Sequence, residues 1–592
     1  MYARRHVRNG APWIHASHLH PKFRVTDMRR STVHSGSKRR LRIAAVIASI
    51  AMTALAVSGC ASSSGSSQSS SRYVNVYSGN PGSLTDDFNP FASSVYYGAN
   101  GGILGAVYEP LFYYNTAVNE APKPWLAKSF TVSPDGMTYD ITLRSGVKWQ
   151  DGKPFTAADV AYTYNLIKDN PVLNLLGLKL AGATATDATH VTIKLTQPDY
   201  PDEMALLGET FIVPQHIWSH IKNPSKTLNV DPIGTGAFKF GTFTNQSFTV
   251  VKNPDYYQPG EPSVPGIRFV SETGNTGGLD ALNAGQVDWA GIALENVKQS
   301  FLEKDPKYNK DTVIPGDIKV LVLNLSKAPF NDLPFRQALS LAINRDAIIQ
   351  QAFGGTDSPA NPTSILQPRD SAYIPSAYKG KTMTEDIAQA KQILANAGYK
   401  TDSNGHLLGK NGQPITFNIS TVTGYTDTIT ADQLLVQDFA KLGIQATAQQ
   451  LSLGAYTTDE STGQFDVLDD RLATGPTPFQ QFDEAFDYTL SAPIGKDASS
   501  DYARFDDPQI QSMLTTLETT NNPATVTSTY QALGTYFAQN QPYIILSQNG
   551  DVTTYRDQYF TGWPTTSNLW ANPANWIGQN VGYIAKKLKP AS

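Results

Sequence analysis

The 592 residues carry 47 Lys and Arg against 51 Asp and Glu, and a single cysteine. Eleven of the bases and only one of the acids fall in residues 1–59, so the 533 residues that follow hold a net charge of about −14. An acidic body without a basic stripe excludes a nucleic-acid partner, one cysteine excludes a disulfide-stapled fold, and this length excludes a single hydrophobic core.

In chain order, Lys38, Arg39, Arg40 and Arg42 precede an uncharged run, Ile43 to Ser58, that is too short to span a bilayer comfortably. Met28-Arg29-Arg30 is a more ordinary start for such a segment than Met1. The run ends in Val57-Ser58-Gly59-Cys60, which resembles the lipobox of bacterial lipoproteins. That resemblance implies that 1–59 is a signal peptide, that the chain is cut before Cys60, and that the Cys60 sulfur carries a lipid. Residues 60–71, almost wholly Ser and Gly after the cysteine, cannot bury enough apolar surface to order themselves and read as a tether. No second long apolar stretch follows, so the chain is expected to be anchored to a membrane without spanning it.

Tyr73 to Tyr77 alternates as a strand. Phe130-Thr131-Val132 and Tyr139 to Leu143 flank Pro134-Asp135-Gly136, a hairpin whose Asp-Gly supplies the positive φ of a tight turn. After a second Asp-Gly, Asp151-Gly152, the segment Thr156-Ala157-Ala158-Asp159 is a variant capping box, opening a helix with Val160, Tyr164 and Ile167 on one face. Val320 to Leu325 and Ile415 to Ile419 read as strands. Between and after them lie three helices: one capped by Asp332 with a stripe of Phe335, Ala338, Leu339, Ala342 and Ile343, one capped by Thr384 and ending at Gly398, and one lined by Leu435, Phe439 and Leu442 and stopping at Gly443. The pattern is α/β without an internal repeat.

Several segments match, in order, those of family 5 solute-binding proteins, the lipid-anchored receptors of peptide and oligosaccharide ABC importers. They are Tyr108-Glu109-Pro110-Leu111-Phe112, Pro124-Trp125-Leu126-Ala127, Gly234-Thr235-Gly236-Ala237-Phe238, Asn253-Pro254-Asp255-Tyr256-Tyr257 and Pro334-Phe335-Arg336-Gln337-Ala338. The most specific is Trp149-Gln150-Asp151-Gly152-Lys153-Pro154-Phe155-Thr156-Ala157-Ala158-Asp159-Val160. The resemblance implies a two-lobed periplasmic-binding-protein-like fold of class II with an inserted domain and a hinge between the lobes. Its expected parts are lobe I at 72–112 and 199–316, the insertion at 113–198, lobe II at 317–544, and a return to lobe I at 545–592. It also implies a monomer on the outer face of the cytoplasmic membrane, an oligomeric solute enclosed between the lobes, and permease subunits as partners. The signature residues Trp149, Asp151 and Gly152 read as hairpin and capping chemistry, not as ligand contacts.

Peptide-binding members carry, after a Phe-Asp-Val strand, a Trp and then an Asp that pairs with the peptide's α-ammonium. Here the strand is Phe465-Asp466-Val467, and Leu472 and Gly475 stand at those two places. A neutral ligand follows, an oligosaccharide or an oligopeptide bound without its charge. The expected cleft residues are Tyr96, Tyr97, Trp289, Gly475, Thr477, Phe479 and Trp563, with Trp570 and Trp576 as further rings; Asp469 and Asp470 lie close by, on opposite faces of a strand. A lipid-anchored glycosidase is the enzyme alternative. It needs two converging carboxylates, and the adjacent pairs Asp86-Asp87, Asp469-Asp470 and Asp506-Asp507 do not suggest them. His216 and His220 have the spacing of a metal pair but lack an intervening Glu, and neither a phosphate loop nor any other cofactor motif is found. No catalysis and no cofactor are therefore expected.

Overall fold

The computed structural model describes residues 71–591 apart from 80–82, 93–94, 96–98, 293, 295, 424 and 473–474. Cys60 with its lipobox, and Tyr96 and Tyr97, lie outside the described residues. The alternating run after the tether forms β1 (Val74–Tyr77). The predicted hairpin joins β2 (Ala127–Val132) to β3 (Thr138–Leu143), with Gly136 at φ 70°. They form an antiparallel four-stranded sheet with β4 (Leu180–Ala185) and β5 (His190–Leu195), in the order β2-β3-β5-β4. Helix α1 (Ala157–Asp169) opens at Thr156, whose amide donates to Asp159 Oδ2 at 2.9 Å, and buries Val160, Tyr164 and Ile167.

The chain then returns to β1 through β6 (Phe238–Thr244), β7 (Ser247–Lys252), β8 (Gly266–Val270) and β9 (Trp289–Ala290). It leaves along the 15-residue β10 (Asn309–Leu323). Beyond are α2 (Leu333–Ala342), α3 (Ile387–Asn396), β11 (Thr416–Val422), α4 (Thr426–Ala440), β12 (Gln445–Leu451), α5 (Leu453–Thr462), β13 (Val467–Leu472), α6 (Phe479–Phe486), α7 (Pro508–Thr519) and α8 (Pro523–Asn540). The 14-residue β14 (Tyr543–Arg556) runs back beside β10. The stripe foreseen on α2 is buried. Helix α3 is capped by Asp386, not Thr384: the Asp386 carboxylate accepts from the Gln389 amide at 2.8 Å, two residues further on.

Ten strands make one continuous sheet in the order β12-β11-β13-β10-β14-β9-β1-β8-β7-β6. One apolar core joins the β1 side to the four-stranded sheet, and two others lie on either face of the β11–β13 side, so the molecule has two lobes bridged by β10 and β14. No described helix is long and apolar enough to cross a membrane.

The family-like segments build the first lobe's frame by converging on one buried carboxylate. Glu109 accepts from Trp125 Nε1 at 2.6 Å, Tyr256 Oη at 2.7 Å and Thr235 Oγ1 at 2.8 Å, so four motifs meet at one side chain. Lys586 donates to Tyr256 Oη at 3.1 Å and lies 4.5 Å above the Trp125 ring. Burial pushes the Glu109 carboxyl up and pulls Lys586 down to about 8. Gln150 of the signature donates to Phe238 O at 2.7 Å and ties it to Gly234-Thr235-Gly236. His216, whose spacing to His220 resembles a metal pair, meets Asp151 Oδ2 at 2.7 Å. The Gly-Thr-Gly segment is a close backbone crossing: a Cβ at Gly234 would lie 1.8 Å from Val107 O. Gly234→Ala must therefore push two chain segments apart and is expected to destabilise the protein by roughly 3 kcal/mol, read as a lowered midpoint in urea unfolding.

Candidate functional site

The sheet register shows where the two lobes direct their strand ends. In the first lobe β1 runs parallel to β8 and β9; in the second, β11 runs parallel to β12 and β13. Ligands of open α/β sheets sit beyond the carboxyl ends of such strands. The carboxyl end of β9, Ala290, lies opposite Thr554 of β14, and that of β13, Leu472, lies opposite Ile318 of β10. Both sets of strands thus point at the middle of the bridging pair. There the pairing breaks, from Pro315 with Gly550 to Ile318 with Gln548. Glycines permit the close approach: a Cβ at Gly550 would lie 2.2 Å from Thr356 O, and one at Gly316 would lie 2.4 Å from the Asp551 carboxyl.

A polar cluster surrounds this break. Arg471, at the end of β13, meets Asp317 at 3.3 Å, and Asn549 donates to Asp551 at 3.0 Å. Lys319 meets Asp357 at 3.2 Å and lies 3.3 Å above the Phe353 ring, while Asp357 also accepts from Ser547 Oγ and the Gly550 amide. Burial, reinforced by Asp317, pushes the Asp551 carboxyl up to about 7, against Arg471 and Lys319. Gln548 exchanges two hydrogen bonds with the Gln367 backbone, and Arg369 reaches from the second lobe to Thr116 O in the first at 2.9 Å.

Asp469 and Asp470 do face opposite ways. Asp469 turns to Asp432 of α4, while Asp470 turns to Glu460 of α5, so each acid faces another carboxyl. Both are engaged inside the lobe. Burial first, and then the Asp469 charge, raises the Asp432 carboxyl far above the carboxylate range.

The structure places three of the expected rings in apolar cores instead of at the cleft. Trp289 is 1 % exposed, packs edge-on against Trp563 with centroids 5.4 Å apart, and donates to Pro573 O. Trp563 donates to Phe560 O. Phe479 begins α6 and joins the second lobe's core, because the amphipathic α6 must bury this face. Thr477 Oγ1 accepts from Tyr530 Oη at 3.1 Å and from the Phe479 amide at 3.3 Å. Gly475 is covered by Gln480: a Cβ there would lie 2.2 Å from Gln480 Oε1, which is buried and accepts no hydrogen bond.

Two half-exposed rings stand nearer the strand ends. Trp576, 38 % exposed, packs over Gly291 just beyond β9, held by Asn575, whose amide donates to Tyr77 O and Trp289 O at the ends of β1 and β9. Tyr425, 36 % exposed, follows the end of β11. Trp570 is partly buried against the first core. Tyr425 went unforeseen; its place just past a strand run that ends at Val422 is the signal that could have found it.

Two lobes joined by a pair of crossing strands, with a polar cluster at the crossing, make the frame of a protein that can hold a solute between its lobes. The family model for bacterial extracellular solute-binding proteins, family 5, middle region, matches residues 121–490, and the chain belongs to that family. It is 28 % identical over 473 residues to a Brucella ovis protein provisionally named an ABC transporter peptide-binding protein, covering 76 % of this chain and 82 % of the relative. Among solved structures, a periplasmic oligopeptide-binding protein of Thermotoga maritima superposes with a TM-score of 0.80 at 24 % identity, over 88 % of this chain and 100 % of the other. Its mannohexaose-bound form superposes with a TM-score of 0.72 at 24 % identity, over 89 % and 99 %.

The Asp432 carboxyl is raised in the folded state, so folding takes up a proton that the unfolded chain has released above the ordinary carboxyl range. Stability from this group therefore falls as pH rises from there toward the raised folded value. Asp432→Asn keeps the shape without the proton. It is expected to melt within a degree or so of the parent at about pH 5 and about 2–4 °C higher at about pH 8.5, as thermal unfolding at the two pH values will show.

Proposed function

We propose that the protein is the extracellular receptor of an ABC importer, anchored through lipid on Cys60 to the outer face of the cytoplasmic membrane. As a monomer it encloses a neutral oligomeric solute at the crossing of its lobes and hands it unchanged to the permease. An oligosaccharide is the preferred ligand and an oligopeptide the second reading. The fold serves either: a relative is named for peptides, and a structural neighbour holds mannohexaose. The observation that carries the preference is the neutral amide of Gln480 lying over Gly475, where peptide-binding members would place the carboxylate for an ammonium. The half-exposed Trp576 and Tyr425 support it, since sugar rings present flat C–H faces to aromatics and hydroxyls to amides.

Calorimetric titration with α- and β-linked oligosaccharides, and with free-amine and N-acetylated peptides, tests this reading. Affinity for a neutral oligosaccharide is expected to change little with salt, and a free-amine peptide that binds while its acetylated form does not would overturn it. Trp576→Ala is expected to weaken binding by about 2 kcal/mol or more, by analogy with buried aromatic anchors at interfaces. Cys60→Ala is expected to release the protein to the medium, and retention in the membrane fraction would contradict the anchor.

A further inference from the structure

Away from the hinge, the two lobes meet through a group of charges that the cleft does not use. Lys179, just before β4, sits between Asp199 at 2.6 Å and Glu518 at 3.3 Å. The flanking Leu178 and Leu180 belong to the first core, whereas Glu518, near the end of α7, follows Leu514 and Leu517 of the second lobe's core. The Tyr200 amide donates to Glu518 O at 3.2 Å, so a backbone hydrogen bond also spans the two lobes. Asp202 adjoins Asp199, and Tyr139, Tyr200 and Glu203 face the same group; Glu203 accepts from Tyr114 Oη at 2.9 Å. One lysine therefore stands against Asp199, Asp202 and Glu518, with Glu203 a fourth carboxyl bound by Tyr114 at the edge, and all but Glu518 belong to the first lobe.

We propose that this cluster is a proton-sensitive latch on lobe closure: bringing Glu518 onto Lys179, Asp199 and Asp202 is favoured when one of these carboxyls holds a proton, so acidification closes the lobes and alkalinisation opens them. The reasoning rests on charge and burial. Closing packs the end of α7 over the group, removes water, and adds a third carboxylate to a site with one cation; full ionisation would leave two uncompensated negative charges in a buried place. Releasing Glu518 returns the first lobe's acids to water. Burial and the neighbouring Asp199 raise Asp202 to about 8 in the closed form. Because the closed form binds the extra proton, its advantage is present at low pH and is lost as pH rises from the ordinary carboxyl range through about 8.

Hydrogen–deuterium exchange of the full chain reads the latch without a ligand, because the Tyr200 amide is bonded only when the lobes meet. After correction for intrinsic rates, its protection is expected to fall at least about tenfold from pH 6 to pH 8, while amides of β5 keep theirs. Asp202→Asn should keep Tyr200 protected and remove most of that pH dependence. Glu518→Gln, which removes one of the charges that raise Asp202, should make the fall smaller and end it at lower pH. Constant protection in the parent across this range, or a pH profile unchanged in both variants, would overturn the proposal; the parent profile alone decides if a variant does not fold.

Discussion

The antiparallel pairing of β10 with β14 is the constraint on which the rest of the molecule depends. These are the strands long enough to belong to both lobes, and their register carries the sheet from β9 on one side to β13 on the other. Because each lobe's parallel strands are laid against them with carboxyl ends toward the middle, the fold has one place where both lobes offer strand ends to a ligand. The register break there, at Pro315 to Ile318, relieves a strict ladder where a hinge has to bend. The same break frees Asp317 and Asn549 from regular pairing and lets their side chains join Arg471 and Asp551.

The family motifs do a different job from the cleft. Glu109, Trp125, Thr235 and Tyr256 come from four separated segments, and each is explained by a hydrogen bond inside the first lobe. Arg336 of the motif at α2 donates to Asn540 O at the end of α8, and Arg345, just beyond that helix, donates to Ile545 O on β14, so the two guanidiniums fix where the return strand begins. A buried carboxylate or guanidinium without its full set of partners is costly. That cost holds each of these residues to its partners inside the frame, a constraint that a solute-facing side chain does not share.

Much of the frame was legible in the sequence because local rules govern it. The Asp-Gly hairpin, the Thr156 cap and the α2 stripe depend on neighbours a few residues apart, and each appears as read. The strand read at Val320 to Leu325 is the second half of β10; the first half was missed because Pro315-Gly316 breaks its alternation, and only pairing with β14 makes it a strand. The cleft rings were less legible for a similar reason. Trp289 and Phe479 carry the same residue types as a binding ring would, and burial is decided by distant partners such as Trp563 and Phe482. Trp576 is distinguished from them by its position over Gly291, a tertiary fact.

On the function proposed above, the solute is held at the middle of β10 and β14, between the strand ends of the two lobes. A crystal structure of the protein with its captured solute tests this most directly. Ligand density is expected beside the Pro315–Ile318 break, stacked on Trp576 from one lobe and within reach of Tyr425 or Gln480 from the other. Density lying elsewhere, on the four-stranded sheet or touching one lobe only, would contradict it.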